Sequence, residues 1–245
     1  MNASASATGM APQSVGRFDN SQTYWEQVAE KRWGAYISSV ERKWIHYASG
    51  LFPQKQSFLE IGCEGGRWSQ LLCDQGWQAV CTDINAENLK LCQARLPAAR
   101  CHLVEKNSIH LPCDDDAFKL LLCIEVIPVI LSDWFLPEAK RVLQENGVLV
   151  GVFNNKRSLR GWPLHIANRK RDRFDWYAGD YVEWKRKARA QGFRVIAEEG
   201  LCWFPFARCS NSPLIPVFTK LERLFQLHRL PSISPWVVFV ARKVN

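Results

Sequence analysis

The residues best placed to do chemistry cluster where the apolar run Phe58-Leu59-Glu60-Ile61 breaks into Gly62-Cys63-Glu64-Gly65-Gly66. Glycines let a backbone turn tightly and approach a ligand where a Cβ would collide. Seventeen positions after Gly66, Thr82-Asp83-Ile84 closes a second apolar run. An acid at that separation is placed to accept hydrogen bonds from ribose hydroxyls. The pair of features predicts a nucleoside-cofactor site on a strand, turn, helix, strand frame. A dinucleotide fingerprint counted from Gly62 needs glycines at positions held by Glu64 and Arg67. A carboxylate at Glu64 would also repel a pyrophosphate in a partly dry site.

The same acids suit a cation. S-adenosylmethionine carries a sulfonium and an ammonium, and Glu60 and Glu64 flank the turn. Here the chain resembles the class I S-adenosylmethionine-dependent methyltransferases: Glu60, Gly62 and Gly66 match the first motif of that family, and Asp83 matches its acid at the end of the second strand. The family's middle glycine is Glu64 in this chain. Lys106-Asn107-Ser108-Ile109 resembles the adenine-contacting segment, with Asn107 where the family often has Asp. Phe118 to Val126, which includes Glu125, resembles the fourth strand and the mouth of methyl transfer. The resemblance runs from about residue 55 to the C-terminus. It implies Glu60, Gly62, Glu64, Gly66, Asp83, Ile84, Asn107, Ser108 and Glu125 as cofactor contacts.

Methyl transfer is an in-line displacement in which the cofactor carries the hard chemistry and the protein orients and desolvates. No residue is forced to act as a base. His165, in the loop Gly161-Trp162-Pro163-Leu164-His165 after the expected fifth strand, is the first candidate, against the reading of a plain loop histidine. Tyr24, Trp25, Trp33, Tyr36 and Trp162 can close over a planar acceptor or the sulfonium by cation–π contact. The first four of these equally fit the buried face of a helix. Glu125 can face substrate or cap its strand.

The elements that must position these groups follow from periodicity. Strands are expected near 57–62, 79–84, 101–105, 119–125 and 147–153, with helices near 67–76, 86–95 and 133–145. This alternation predicts an α/β fold, a doubly wound Rossmann-like parallel sheet. Two further strands, at Gly192 to Ala197 and Pro235 to Ala241, make seven, and the resemblance implies that the last runs antiparallel. Residues 1–20, rich in small residues and proline, read as a disordered tail without secretory features. Residues 21–52 read as an N-terminal helical cap, and 53–245 as the methyltransferase domain.

The 245 residues suffice for one such domain, and the formal charge is +8. Between 154 and 191 stand eleven Lys/Arg and four acids, a local net of 11 − 4 = +7. This basic insertion fits a solvated face, an acidic small molecule or an anionic lipid. No nucleic-acid module accompanies it. Residues 213–230 read as an amphipathic helix that docks on the domain, on a homodimer partner or on a membrane surface. Nine cysteines without a C-x-x-C pair argue against disulfide scaffolds and metal sites and for a reducing cytoplasm. The expected function is methylation of nitrogen or oxygen of a small molecule. The alternatives are a lipid or quinone-like acceptor at the membrane surface, and a non-catalytic cofactor-binding subunit.

Overall fold

The computed structural model describes residues 22–169 and 174–244. The tail expected over 1–20 and part of the basic insertion lie outside the described residues. The chain enters through α1 (Tyr24–Ala29) and α2 (Arg32–Gly50). It then alternates through β1 (Ser57–Ile61), α3 (Arg67–Cys73), β2 (Gln78–Asp83), α4 (Ala86–Arg95), β3 (Arg100–Leu103) and β4 (Phe118–Cys123). Two short helices, α5 (Ile127–Ile130) and α6 (Phe135–Val142), lead into the long β5 (Leu143–Asn154). The basic insertion contains α7 (Gly161–Arg169) and α8 (Tyr181–Ala190), followed by β6 (Phe193–Leu201), α9 (Ile215–Leu224) and β7 (Trp236–Lys243).

The seven strands form one sheet in the order β3-β2-β1-β4-β5-β7-β6. Strands β1 to β5 pair in parallel, whereas β7 runs antiparallel to both β5 and β6. This is the doubly wound seven-stranded sheet with an inserted antiparallel strand that the sequence predicts. The central strands read as nearly continuous apolar runs because both of their faces are covered. Alternate residues divide between two cores. Phe58, Leu120, Leu122, Val150 and Val240 meet α2, α3 and α4 on one face. Leu59, Leu121, Leu149, Val237 and Phe239 meet α6 and α8 on the other.

Helix α2 is more than a cap, since Trp33, Ile37, Val40, Ile45 and Ala48 are buried in the first core. Helix α6 ends at Val142, short of the expected end near residue 145, and Leu143 already pairs with Phe118. Asn146 takes a positive φ of 59° inside the strand instead. The helix expected over 213–230 is shorter than its apolar pattern. It stops at Leu224, Gln226 adopts a left-handed conformation, and a single 3-10 turn covers Leu227–Arg229. Glu222, a charged residue of this helix, is 1% exposed, while Val217, Leu224 and Phe225 lie outward. The reason is a specific demand: Glu222 accepts the Tyr36 hydroxyl and the Trp203 N–H. Among the described residues no helix is long and apolar enough to cross a membrane.

Candidate active site

The parallel topology brings the ends of β1, β2, β4 and β5 to one edge of the sheet, where ligands bind in open α/β folds. The turn after β1 is defined by three left-handed residues in alternation, Gly62 (φ 68°), Glu64 (φ 48°) and Gly66 (φ 75°). Glu64 therefore adopts the conformation of the glycine it replaces. Gly62 is required by contact as well, since a Cβ there would lie 2.6 Å from Val126. Asp83, 7% exposed at the end of β2, holds the turn: its Oδ2 accepts the Glu64 N–H at 2.9 Å and its Oδ1 the Asn85 N–H at 2.8 Å. Asn88 Nδ2 reaches Oδ1 as well, at 3.5 Å, while Oδ2 retains a further lone pair for a ligand hydroxyl.

A left-handed non-glycine residue costs about 1–2 kcal/mol, part of which the extra freedom of unfolded glycine offsets. Glu64→Gly should thus raise unfolding free energy by roughly 0.5–1 kcal/mol, as read by urea denaturation. A net loss would mean that the hydrogen bond between Glu64 and Thr23 outweighs the strain. Burial pushes the Glu64 carboxyl up to about 7, against the opposing hydrogen bond from Thr23 and the charge of Arg67.

Glu60 is not in the turn. It points between β1 and α3, 3% exposed, where Ser69 Oγ donates to it at 2.5 Å. Burial pushes it up to about 8. The folded chain then keeps a proton that the unfolded chain has lost, so this group's contribution to stability declines as pH rises from the ordinary carboxylate range to about 8. Glu138 works oppositely: Arg141 holds it down at about 2, and its contribution is lost only on acidification below the ordinary range. The expected result is a melting temperature that falls between pH 5 and 8, with a slope flattened by Glu60→Gln. A melting temperature that rises across that interval would refute the assignment of a buried neutral acid.

Beside Asp83, exposed Ile84, Leu103 and Ile109 offer an apolar surface. The loop after β3 lines a cavity of about 350 Å³ with Leu103, Asn107, Ser108 and His110 among its walls. Ser108 Oγ is bonded to the His110 carbonyl at 2.7 Å, while Asn107 is exposed.

Past β4, Glu125 takes a positive φ of 59° and faces a second acid, Glu41 of α2. Burial first, and then the Glu125 charge, drive Glu41 well above the ordinary carboxylate range. Burial therefore favours the protonated form of Glu41. Arg67 reaches Glu41 at 3.4 Å, and Arg208 Nη1 lies 3.2 Å from Glu125 Oε2. That approach is off the donor direction, which leaves Glu125 Oε2 buried without a hydrogen bond. The Arg208 guanidinium lies over Trp25 at 4.4 Å and Trp236 at 4.5 Å, with Trp176 at 6.0 Å. Such stacking holds a cation strongly when it is dry.

Trp25 thus joins Glu125 through Arg208, and exposed Tyr24 bonds to Cys209 next to it. Trp33 and Tyr36 are not brought there. Trp33 is 1% exposed and packs on Phe206, and Tyr36 is pinned to Glu222. His165 lies in α7 with Nδ1 on Asp175, and Trp162 of that helix is 60% exposed. Asp175 is anchored by the Tyr177 N–H at 2.9 Å, and the Tyr177 hydroxyl accepts the Trp236 indole N–H at 3.0 Å.

Glu41 and Arg208 escape the sequence reading. Glu41 had a signal, since it falls four residues after Ile37 on the apolar stripe of α2, where an acid needs a reason. Arg208, in a loop with no periodicity, had none.

The sequence profile of a family described as "Methyltransferase domain" matches residues 59–151, which span β1 to β5 and hence the turn, Asp83 and Glu125. An uncharacterized methyltransferase-like protein of Schizosaccharomyces pombe is 23% identical over 182 residues, 74% of this chain and 69% of its own length. Among solved structures, the geranyl diphosphate C-methyltransferase of Streptomyces coelicolor superposes with a TM-score of 0.59 at 14% identity, covering 90% of this chain and 84% of that one. A TehB-like methyltransferase from Corynebacterium glutamicum gives 0.52 at 19% identity, covering 90% and 98%. With the inserted antiparallel strand and the acid-tied turn, the profile match over β1 to β5 makes the chain similar to the class I S-adenosylmethionine-dependent methyltransferases.

Proposed function

We propose that the chain methylates nitrogen or oxygen of a small molecule seated between α1, α2, the segment 203–210 and Glu125. The observation that carries this reading is the buried Glu41–Glu125 carboxyl pair beyond the cofactor turn, with one oxygen of each acid lacking a hydrogen-bond partner. S-adenosylmethionine, when bound, supplies a methyl carbon on cationic sulfur that an in-line acceptor displaces. Asp83 would hold the ribose hydroxyls, Glu64 would face the methionine end, and Ile84, Asn107 and Ser108 would line the adenine. Glu125 takes the acceptor's proton as the new bond forms. A positioned proton acceptor of this kind contributes about 10²–10⁴-fold. His165, oriented by Asp175, is the second residue able to do so.

Titration calorimetry with S-adenosylhomocysteine, with NAD as control, tests the cofactor assignment. Micromolar binding of the first alone supports it, and binding of neither opposes it. Turnover across amine and hydroxyl acceptors tests the rest, because tight binding without turnover would favour a non-catalytic subunit. A lipid-like acceptor is a second reading, favoured by the exposed Leu159, Trp162, Leu164, Ile166 and Phe174 of the basic insertion. It requires salt-sensitive binding to vesicles containing anionic phospholipid.

A further inference from the structure

Cys63 of the glycine turn, Cys81 of β2 and Cys92 of α4 are buried, and their sulfurs lie within 4.8 Å of one another. Cys101 of β3 adds a fourth sulfur 3.9 Å from that of Cys92. It is the half-buried member and thus opens the cluster towards solvent. Among the described residues this is the one grouping of three or more potential ligands close enough to share an ion.

We propose that these thiols form a binding site for a thiophilic d10 cation, Zn(II) or Cu(I), held by Cys63, Cys81 and Cys92 with Cys101 as the adjoining fourth ligand. Buried cysteines often serve as small apolar residues, yet that role gives no reason for sulfurs from four separate elements to converge. The packing admits the convergence only because position 66 is glycine: a Cβ there would lie 2.7 Å from Cys92 Sγ. A Zn–S bond of about 2.3 Å sets sulfurs roughly 3.8 Å apart in a tetrahedron. The Cys92–Cys101 spacing already matches, and closing the remainder takes side-chain rotation. An all-sulfur donor set selects soft ions over Mg(II) or Ca(II). Binding displaces the thiol protons to solvent as the metal–sulfur bonds form, with no change of oxidation state. Because each ligand comes from a different element of the β1, turn, β2, α4, β3 run, no C-x-x-C signature exists. The ion would tie the turn at Cys63 to β2 and α4.

The test titrates the reduced, metal-free full-length chain with Co(II) under anaerobic conditions, then with Zn(II) and, separately, Cu(I). One Co(II) per chain with a thiolate charge-transfer band and tetrahedral d–d absorption, displaced by Zn(II), is expected. Zn(II) should also raise the melting temperature of the wild-type chain, and a chelator should reverse the rise. Cys92→Ala should weaken binding by more than about tenfold, the loss that even an outer-shell partner causes. Cys113→Ser, outside the cluster, should not. Absence of the band together with no stabilisation by Zn(II) or Cu(I) overturns the proposal, as does equal affinity in Cys92→Ala and wild type. Should Cys92→Ala fail to fold, Cys101→Ser and the wild-type titration decide it. Neither readout depends on methyl transfer.

Discussion

Glu125→Gln is expected to lower methyl transfer by about 10²–10⁴-fold, the usual contribution of a positioned proton acceptor, and to leave S-adenosylhomocysteine affinity nearly unchanged. Gln has the shape of Glu and can follow the same positive φ, so the path of the backbone after β4 survives. It cannot take a proton, and it no longer gives Arg208 an opposite charge at 3.2 Å. Glu41→Gln separates the roles, because its amide keeps the shape of the acid beside Glu125 but brings no acid proton into the pair. A smaller loss of turnover with an altered pH profile is expected there. Full activity in Glu125→Gln would move the proton acceptor to the His165–Asp175 pair, which His165→Ala would then reveal.

Asp83→Ala should weaken S-adenosylmethionine binding by about 1–3 kcal/mol, or roughly five- to 150-fold in Kd, as expected for the loss of a charged acceptor. Its two oxygens also hold the Glu64 and Asn85 N–H groups, so the substitution loosens the turn. The two effects are separable. Asp83→Asn keeps one carbonyl acceptor and should recover part of the melting temperature while still binding ligand poorly. An unchanged Kd in Asp83→Ala, measured calorimetrically, would sink the assignment of the ribose site.

Much of this fold is legible because its signals are local and repetitive. Buried parallel strands such as Leu120-Leu121-Leu122 announce themselves as apolar runs, and the order of motifs fixes their succession. The turn is legible for the same reason, since backbone conformation at Gly62 and Gly66 is a property of residue type. Even Glu64, the departure from the pattern, only marks where the chain accepts strain. What escapes are contacts across long separations. Arg208 meets Glu125 and Trp25 because the segment after β6 folds back over β4, and nothing in Phe206-Ala207-Arg208 encodes that. Tyr36 and Trp33 looked available because an apolar stripe has the same spacing whether it closes over a ligand or over a core. Glu222 shows the converse, a charge in an amphipathic pattern that is buried by one long-range bond. The four thiols likewise converge through topology and not through spacing.

Helix α1 has six residues, too few to be stable alone. It is held by the reciprocal bonds of Thr23 and Glu26, by the Glu26–Arg95 ion pair at 2.6 Å, and by Trp25 against Arg208. Thr23 also packs on Gly65, where a Cβ would lie 2.7 Å away, and bonds to Glu64. One short helix therefore rests on both the cofactor turn and the acceptor side. Its release exposes the two together and costs far less than global unfolding. On the proposed assignment of the site, cofactor and acceptor would then enter and leave behind one local opening, which would couple them in time even where they share no contact.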